Sequence, residues 1–403
     1  MKEIQLTIQA LSPLAIGRQK PGGSISEAQE YIPGSVIRGA VAAQMLRQSP
    51  QSGDQPGGDF YTLFVDQGAA IFSNAYPTGV GLRSQVLPAT AVSSKTFPGF
   101  KADKPSNGGV FDTLIDSVCA ESYGHLYDPT CPKDGGRLEP FSGFYSLEGN
   151  HYRSHSVATR LLTKVGINRR RATAQEQVLY SVQVINETQK KGREDTLFSG
   201  TIRLEDAELA QVLADYLTSS GLRLGGSTSR GLGKVKIQAE VSDYQSETER
   251  RVNAFNQVLC ARWKEWGKFF SPPQSSLPET CKFFTLDLQS DAILTEQWRR
   301  TTVISPDMLC QMAGVDDPDL TLQATYSSYD YRSGWNAAWC LMKDVEMVTT
   351  KGAVYLFSTP NLEAWLPALA ALERRGVGER TPEGFGQVQV CSEFHHVFRE
   401  AAA

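Results

Sequence analysis

The chain has 403 residues, with 40 Lys plus Arg against 44 Asp plus Glu. That length allows two to three globular domains, and a net charge of −4 excludes a uniformly basic nucleic-acid binder, so any anion site must be a local patch. No apolar run approaches the roughly 18 residues of a membrane span, Met1-Lys2-Glu3 starts no secretory signal, and the seven scattered cysteines suit free thiols in a reducing, cytoplasmic setting.

Lys2 to Ala10 alternates through Ile4, Leu6, Ile8 and Ala10, which predicts a half-buried first strand. Leu14 to Glu30 reads as a loop carrying Gly17, Arg18 and Lys20. Tyr31-Ile32-Pro33-Gly34-Ser35 leads into a helix, with Ser35 as its N-cap and Val36, Ile37, Ala40, Val41, Met45 and Leu46 as its apolar face. Arg38 falls in the first turn, where the helix dipole disfavours a cation. It is therefore either a solvated side chain or one partner of a bound phosphate. Ala69 to Asn74 reads as a strand. Thr78 to Gly149 breaks into Gly/Pro-rich pieces with short apolar runs, an insertion of about residues 75–158 rather than a domain of its own.

Asn150 to Gln175 contains no acidic residue and carries Arg153, Arg160, Lys164, Arg169, Arg170 and Arg171, with His151, His155 and the neutral donors Thr159 and Asn168. Such a stretch on an acidic protein is what a phosphate-tracking surface requires, and arginine's planar fork suits that role. The alternative is a loop kept soluble by its charge. Phe141, Phe144, Tyr145 and Tyr152 lie just upstream and could stack on unpaired bases, although core packing accounts for such rings as well. Gln177–Ile185 and Thr196–Leu204 read as paired strands, and Asp206–Leu217 as a helix.

Next comes the loop Leu224-Gly225-Gly226-Ser227-Thr228-Ser229-Arg230-Gly231-Leu232-Gly233-Lys234, followed by an alternating strand. Its glycines permit positive φ and close backbone approach. Ser227, Thr228 and Ser229 add hydroxyls, and Arg230 and Lys234 add charge. The order is helix, loop, strand. A P-loop or dinucleotide fingerprint needs strand, loop, helix, so a nucleotide cofactor is excluded on order.

Ser246–Phe270 is an amphipathic helix and Ser271–Pro278 a Pro/Ser linker. A second unit starts at Lys282–Leu288, continues through strands near 321–327, 335–343 and 354–357 and a helix at 362–372, and ends on a strand reaching about residue 397. Between that helix and that strand lies Gly376-Val377-Gly378-Glu379-Arg380-Thr381-Pro382-Glu383-Gly384-Phe385-Gly386, an echo of the first loop in which Glu379 and Glu383 stand beside the glycines. Two copies of one supersecondary unit predict two domains of one type. The fold class is α+β: two tandem ferredoxin-like domains, residues 1–242 with the insertion and residues 281–403, joined by a helix and linker over 243–280.

Catalytic signatures are missing. There is no Gly-x-Ser-x-Gly elbow and no Asp/Glu cluster at ligand spacing, and the first of the five histidines is His125. Cys119, His125 and Cys131 offer three ligands where a structural zinc wants four. The expectation is no catalytic residue, no metal and no cofactor.

Together, Pro13–Gly17, Ile32–Ala40, Thr159-Arg160, Gly166–Arg169, Ala172–Tyr180 and Gly225–Gly233 resemble the RAMP superfamily of CRISPR-associated RNA-binding proteins. These have RRM-like ferredoxin folds with a glycine-rich loop before the last strand. The likeness spans most of residues 1–240 and, through the second loop, 376–388. The two-unit arrangement is similar to the type III-D effector subunit that caps the 5′ end of the guide RNA. The resemblance implies a non-catalytic RNA-binding subunit, with guide-RNA processing as the alternative activity. Its partners would be guide (CRISPR) RNA, a large polymerase-like subunit and backbone RAMP subunits, with target RNA met indirectly and no membrane. It also implies RNA contacts for Ser35, Arg38 and Gly39 at the helix start, for Arg160, Asn168 and Arg169 in the basic segment, and for Gly225 through Arg230, Gly231, Gly233 and Lys234 in the loop. Arg18, Arg170 and Arg171 join them on charge.

Overall fold

The structure, a computed structural model, describes residues 1–18, 27–48, 58–66, 70–168, 170–171, 173–189, 194–270, 282–336 and 341–403. The first unit is built on β1 (Lys2–Ala10), the short hairpin β2 (Gly17–Arg18) and β3 (Glu27–Ala28), α1 (Gly34–Gln48) and β4 (Ile71–Phe72). A long hairpin, β5 (Thr159–Asn168) and β6 (Thr173–Ile185), precedes β7 (Leu197–Leu204), α2 (Ala207–Ser219) and β8 (Val235–Asp243). After α3 (Thr248–Trp266) the second unit runs β9 (Lys282–Leu288), the hairpin β10 (Leu294–Glu296) and β11 (Arg299–Thr301), α4 (Pro306–Ala313), β12 (Thr321–Tyr326), β13 (Val354–Thr359), α5 (Leu362–Arg375) and β14 (Val388–Val390). Among the described residues no helix is long and apolar enough to cross a membrane.

The main sheets are ordered β8-β1-β7-β4 and β14-β9-β13-β12, with every pairing antiparallel. That is the last-first-third-second order of a ferredoxin-like unit, present twice. In β1 the alternation sends Ile4, Leu6, Ile8 and Ala10 into one core with Leu213, Leu217 and Ile237, and Glu3, Gln5, Thr7 and Gln9 to the other face. Asp206 caps α2 by accepting from the Glu208 and Leu209 backbone N–H groups. Ser305 and Pro306 start α4, the Ser305 hydroxyl accepting from Met308 N at 3.1 Å.

Two expectations need correction. Ser35 lies inside α1 rather than at its cap, and the start of the helix is served by Asn74, whose Oδ1 accepts from Gly34 N at 2.9 Å. Nor do residues 177–185 pair with 196–204. The strand is longer (β6) and folds back on β5, while β7 joins β1 in the main sheet. A strong alternating pattern gives a strand but not its neighbour, and hairpin pairing with the adjacent β5 won.

The start of the insertion packs on the unit that contains it, Tyr76–Thr78 pairing with β7 and Arg83 Nη2 donating to Glu3 Oε1 at 2.7 Å, while its middle packs on the second unit. Its helix, Leu114–Ser122, places Leu114, Ile115 and Cys119 in one core with Phe284, Leu286 and Trp365 of the second unit. Phe100, Phe111 and Tyr145 cluster with Phe394 and Val397. Buried Asp116 is held by Arg262 of α3 at 2.6 and 3.0 Å and accepts from the Trp266 indole at 2.9 Å.

Candidate nucleic-acid interface

The first glycine loop is a compact turn with most of its polar groups outward. Gly225, Gly231 and Gly233 have φ of 87°, 88° and 83°, and Ser227 is left-handed at 55°. Gly226 N donates to Ala15 O at 2.8 Å and Gly233 N to Pro13 O at 2.9 Å, so the chain leaving β1 anchors the loop. A Cβ on Gly225 would stand 2.5 Å from Ala15 O, and one on Gly233 2.5 Å from Leu224 O. These two positions must be glycine for the loop to close. Gly226, Ser229, Arg230, Gly231 and Lys234 are exposed, while Ser227 and Thr228 are half-buried.

Onto this loop the fold brings the basic hairpin. Arg230 donates to the Tyr180 hydroxyl of β6 and lies 5.7 Å over its ring. Beneath, Leu232 is buried with Ala15 and Val184, and Leu162 and Val182 of the hairpin pack against them. Lys164 stands opposite Tyr180 in the ladder. Arg160 is paired with Glu187 at 3.1 Å, the acidic neighbour beyond the acid-free run. Asn168 ends β5, paired with Thr173; Arg170 and Arg171 are exposed in the turn, and Arg169 lies outside the described residues. Arg18 lies in β2, paired with Glu27, and that hairpin docks on β6 through Ala28 N donating to Gln183 Oε1 at 2.9 Å. Thus Arg18, the 160–171 segment and the 225–234 loop, remote in sequence, meet on one side of the first unit. Tyr180, the last residue of the Ala172–Tyr180 motif, is the member that was not among the expected RNA contacts; its signal was its place between the basic run and the loop.

The helix-start residues go elsewhere. Arg38 is half-buried, donates to Phe64 O at 2.6 Å and lies 5.4 Å over the Phe64 ring. Burial lowers its pKa, and the facing Glu383 carboxylate opposes that shift. Ser35 is half-buried and Gly39 exposed on the same helix. This end of α1 meets the second glycine loop: a Cβ on Gly34 would stand 2.9 Å from Glu383 O, and one on Gly384 2.8 Å from Phe72 O.

The second loop repeats the first residue by residue. Gly378, Arg380, Gly384 and Gly386 have φ of 76°, 57°, 92° and 63°, in the places of Gly225, Ser227, Gly231 and Gly233. Glu379 N donates to Ile293 O at 2.9 Å as Gly226 N does to Ala15 O. Its carboxylates are already paired, Glu379 with Arg300 at 2.5 Å and Glu383 with Arg380 at 2.6 Å. The cleft between the open face of the first sheet and the second unit, about 1100 Å³, is lined by six carboxylates and four cations and is a poor track for phosphate. Phe144 and Tyr145 are buried, and Phe141 and Tyr152 pack against the Phe100 cluster.

The family model described as the RAMP superfamily matches residues 7–236, more than half of the chain, including the first glycine loop and the basic hairpin. The chain belongs to the RAMP superfamily. Among solved structures, this RAMP protein matches a chain of the cryo-EM structure of the type III-B Cmr-beta bound to cognate target RNA and AMPPnP, at 12% identity and a TM-score of 0.43, covering 90% of this chain and 88% of that one. A chain of the same complex bound to cognate target RNA matches at 13% identity and a TM-score of 0.43, covering 87% and 86%. No curated protein matches it.

No cluster of three or more His, Cys, Asp or Glu at metal-ligand spacing occurs among the described residues of this RAMP protein. Cys119 is buried in the second-unit core, Cys131 is buried apart from that core, and the His125 ring lies against Phe270, tilted at 47° with centroids 4.5 Å apart. His155 contacts the Ser146 hydroxyl at 2.7 Å, and burial lowers its pKa.

Proposed function

We propose that this RAMP protein is a non-catalytic RNA-binding subunit of a type III CRISPR ribonucleoprotein effector. In this reading it holds the 5′ repeat-derived handle of the guide RNA and nucleates assembly with a large polymerase-like subunit and backbone RAMP subunits, meeting target RNA indirectly. The convergence of Arg18, the basic hairpin and the exposed Ser229-Arg230-Gly231 turn carries the RNA reading, because a single strand can lay successive phosphates along such a cationic edge. The CRISPR setting and the handle follow from the resemblance of the motifs set out above.

The test is a salt titration. Arg169→Ala with Arg170→Ala weakens single-stranded RNA binding and reduces the slope of log affinity against log salt by about 0.7 for each lost phosphate contact. Unchanged slope and affinity return the segment to a solvated surface. Repeat RNA incubated with the protein without divalent metal stays intact. Cleavage that disappears in His151→Ala or His155→Ala would make the protein a guide-processing endoribonuclease instead.

A further inference from the structure

The hairpin β10–β11 closes on Gln297 and Trp298, both left-handed at φ 47° and 65°. Two-residue turns with positive φ at both central positions ordinarily carry Asn-Gly or Gly-Gly, because a Cβ is strained there. Here the second position is the bulkiest side chain available, and it is 99% exposed. A tryptophan in water buries no apolar area, so the fold gains nothing in return for the strain. The base of the hairpin is firmly braced. Thr295 Oγ1 and Arg300 Nη1 each lie 2.5 Å from Glu379 Oε1, and Arg300 Nη2 lies 2.8 Å from Glu346 Oε2. The indole is therefore held out into solvent on a fixed mount beside the second glycine loop.

The internal repeat says what such a mount is for. Ile293 bridges Glu379 as Ala15 bridges Gly226, and β10–β11 follows Ile293 as β2–β3 follows Ala15. In the first unit that hairpin carries Arg18 and docks on the basic hairpin at Gln183. In the second unit the corresponding place presents Gln297, Trp298 and Arg299, all exposed. Of the nearby carboxylates, Glu346 and Glu379 are both taken up by Arg300, and Glu296, opposite Arg299 in the hairpin, accepts from the Ser305 hydroxyl; Arg299 itself is exposed beside the indole.

We infer that Trp298 stacks on an unpaired base of the bound RNA, with Arg299 engaging the adjoining phosphate. This rests on the RNA-binding reading above and adds a second contact region to it, on the other unit. Stacking on an indole face accepts any base, so the contact adds affinity without choosing sequence.

The full-length protein and an unstructured single-stranded RNA of mixed sequence test this. Trp298→Ala weakens RNA binding about tenfold or more with the salt slope unchanged, since stacking releases no counterion, while Trp298→Phe keeps most of the affinity. RNA quenches part of the wild-type tryptophan fluorescence, and that part is missing in Trp298→Phe. Trp298→Gly raises the melting temperature by relieving the turn. Unchanged RNA affinity and quenching in the variants overturn the inference. So does a marked fall in melting temperature for Trp298→Gly, which would make the ring a piece of the fold. Loss of a co-purifying protein subunit with RNA affinity intact overturns it in favour of a protein anchor. If Arg169→Ala with Arg170→Ala lowers the slope and the Trp298 variants do nothing, this inference alone fails; wild-type protein that binds no RNA fails both readings.

Discussion

Gly231 and Gly384 hold the same backbone angle in different surroundings. Gly231 has φ 88° and nothing within 4 Å of the place a Cβ would take. Gly384 has φ 92°, but its Cβ would stand 2.8 Å from Phe72 O and 2.9 Å from Asn74 Oδ1. A side chain at Gly231 thus meets only the left-handed penalty, roughly 1–2 kcal/mol. At Gly384 the same penalty is joined by collision with backbone that cannot rotate away. Gly231→Val is expected to keep the fold, with a modest fall in the guanidinium midpoint, and to weaken RNA binding where the loop is exposed. Gly384→Val is expected to lower the midpoint much further and to act on RNA only through the loss of folded protein. Equal midpoints for the two variants would show that the contact between α1 and the second loop contributes little.

At the scale of elements, that contact decides what Arg38 does. Its guanidinium is held by Phe64 O, the Phe64 ring and the facing Glu383 carboxylate, not by solvent. Arg38→Ala should cost about 1–2 kcal/mol of stability, as a lost partly buried charged hydrogen bond does, and leave the RNA salt slope unaltered. A slope reduced by about 0.7 would instead make Arg38 a phosphate ligand. The sequence carried much of this architecture and little of this contact. The alternation in Lys2–Ala10, the cap at Asp206 and the repeated glycine spacing are local signals, and each predicts its element. The pairing of β7 with β1, the placement of Arg38 against the other unit's loop and the meeting of Arg230 with Tyr180 depend on long-range packing that no window of sequence contains. The hairpin tip at Gln297-Trp298 was invisible for the opposite reason: it lacks the Asn-Gly pair that announces such a turn.

For the whole molecule, the middle of the insertion and the chain's last turns pack as one body with the second unit. His395 sits at their junction, with Nδ1 3.2 Å from Asp112 Oδ1 of the insertion and Nε2 3.0 Å from Asp287 Oδ1 of β9, all three side chains buried. Burial opposes a charged imidazole here, but the two carboxylates outweigh it and push its pKa up to about 10. The folded protein then keeps a proton that the unfolded chain releases near 6.5, so more protons are bound in the folded state between those values. That contribution is fully present below about pH 6.5 and declines as pH rises toward 10, on the order of a few kcal/mol in all. Denaturant titrations at pH 6, 8 and 10 should show the wild-type midpoint falling across this window. His395→Gln, which cannot carry the charge, should be less stable at pH 6 and flatter with pH. Because the histidine joins two segments more than 170 residues apart, the loss should also free amide hydrogens of Val110–Asp112 and Thr285–Leu288 to exchange together at high pH. Parallel pH profiles for the two proteins, or protection lost at only one of the two strands, would mean that the insertion is secured by its apolar cores and that the charged junction contributes little.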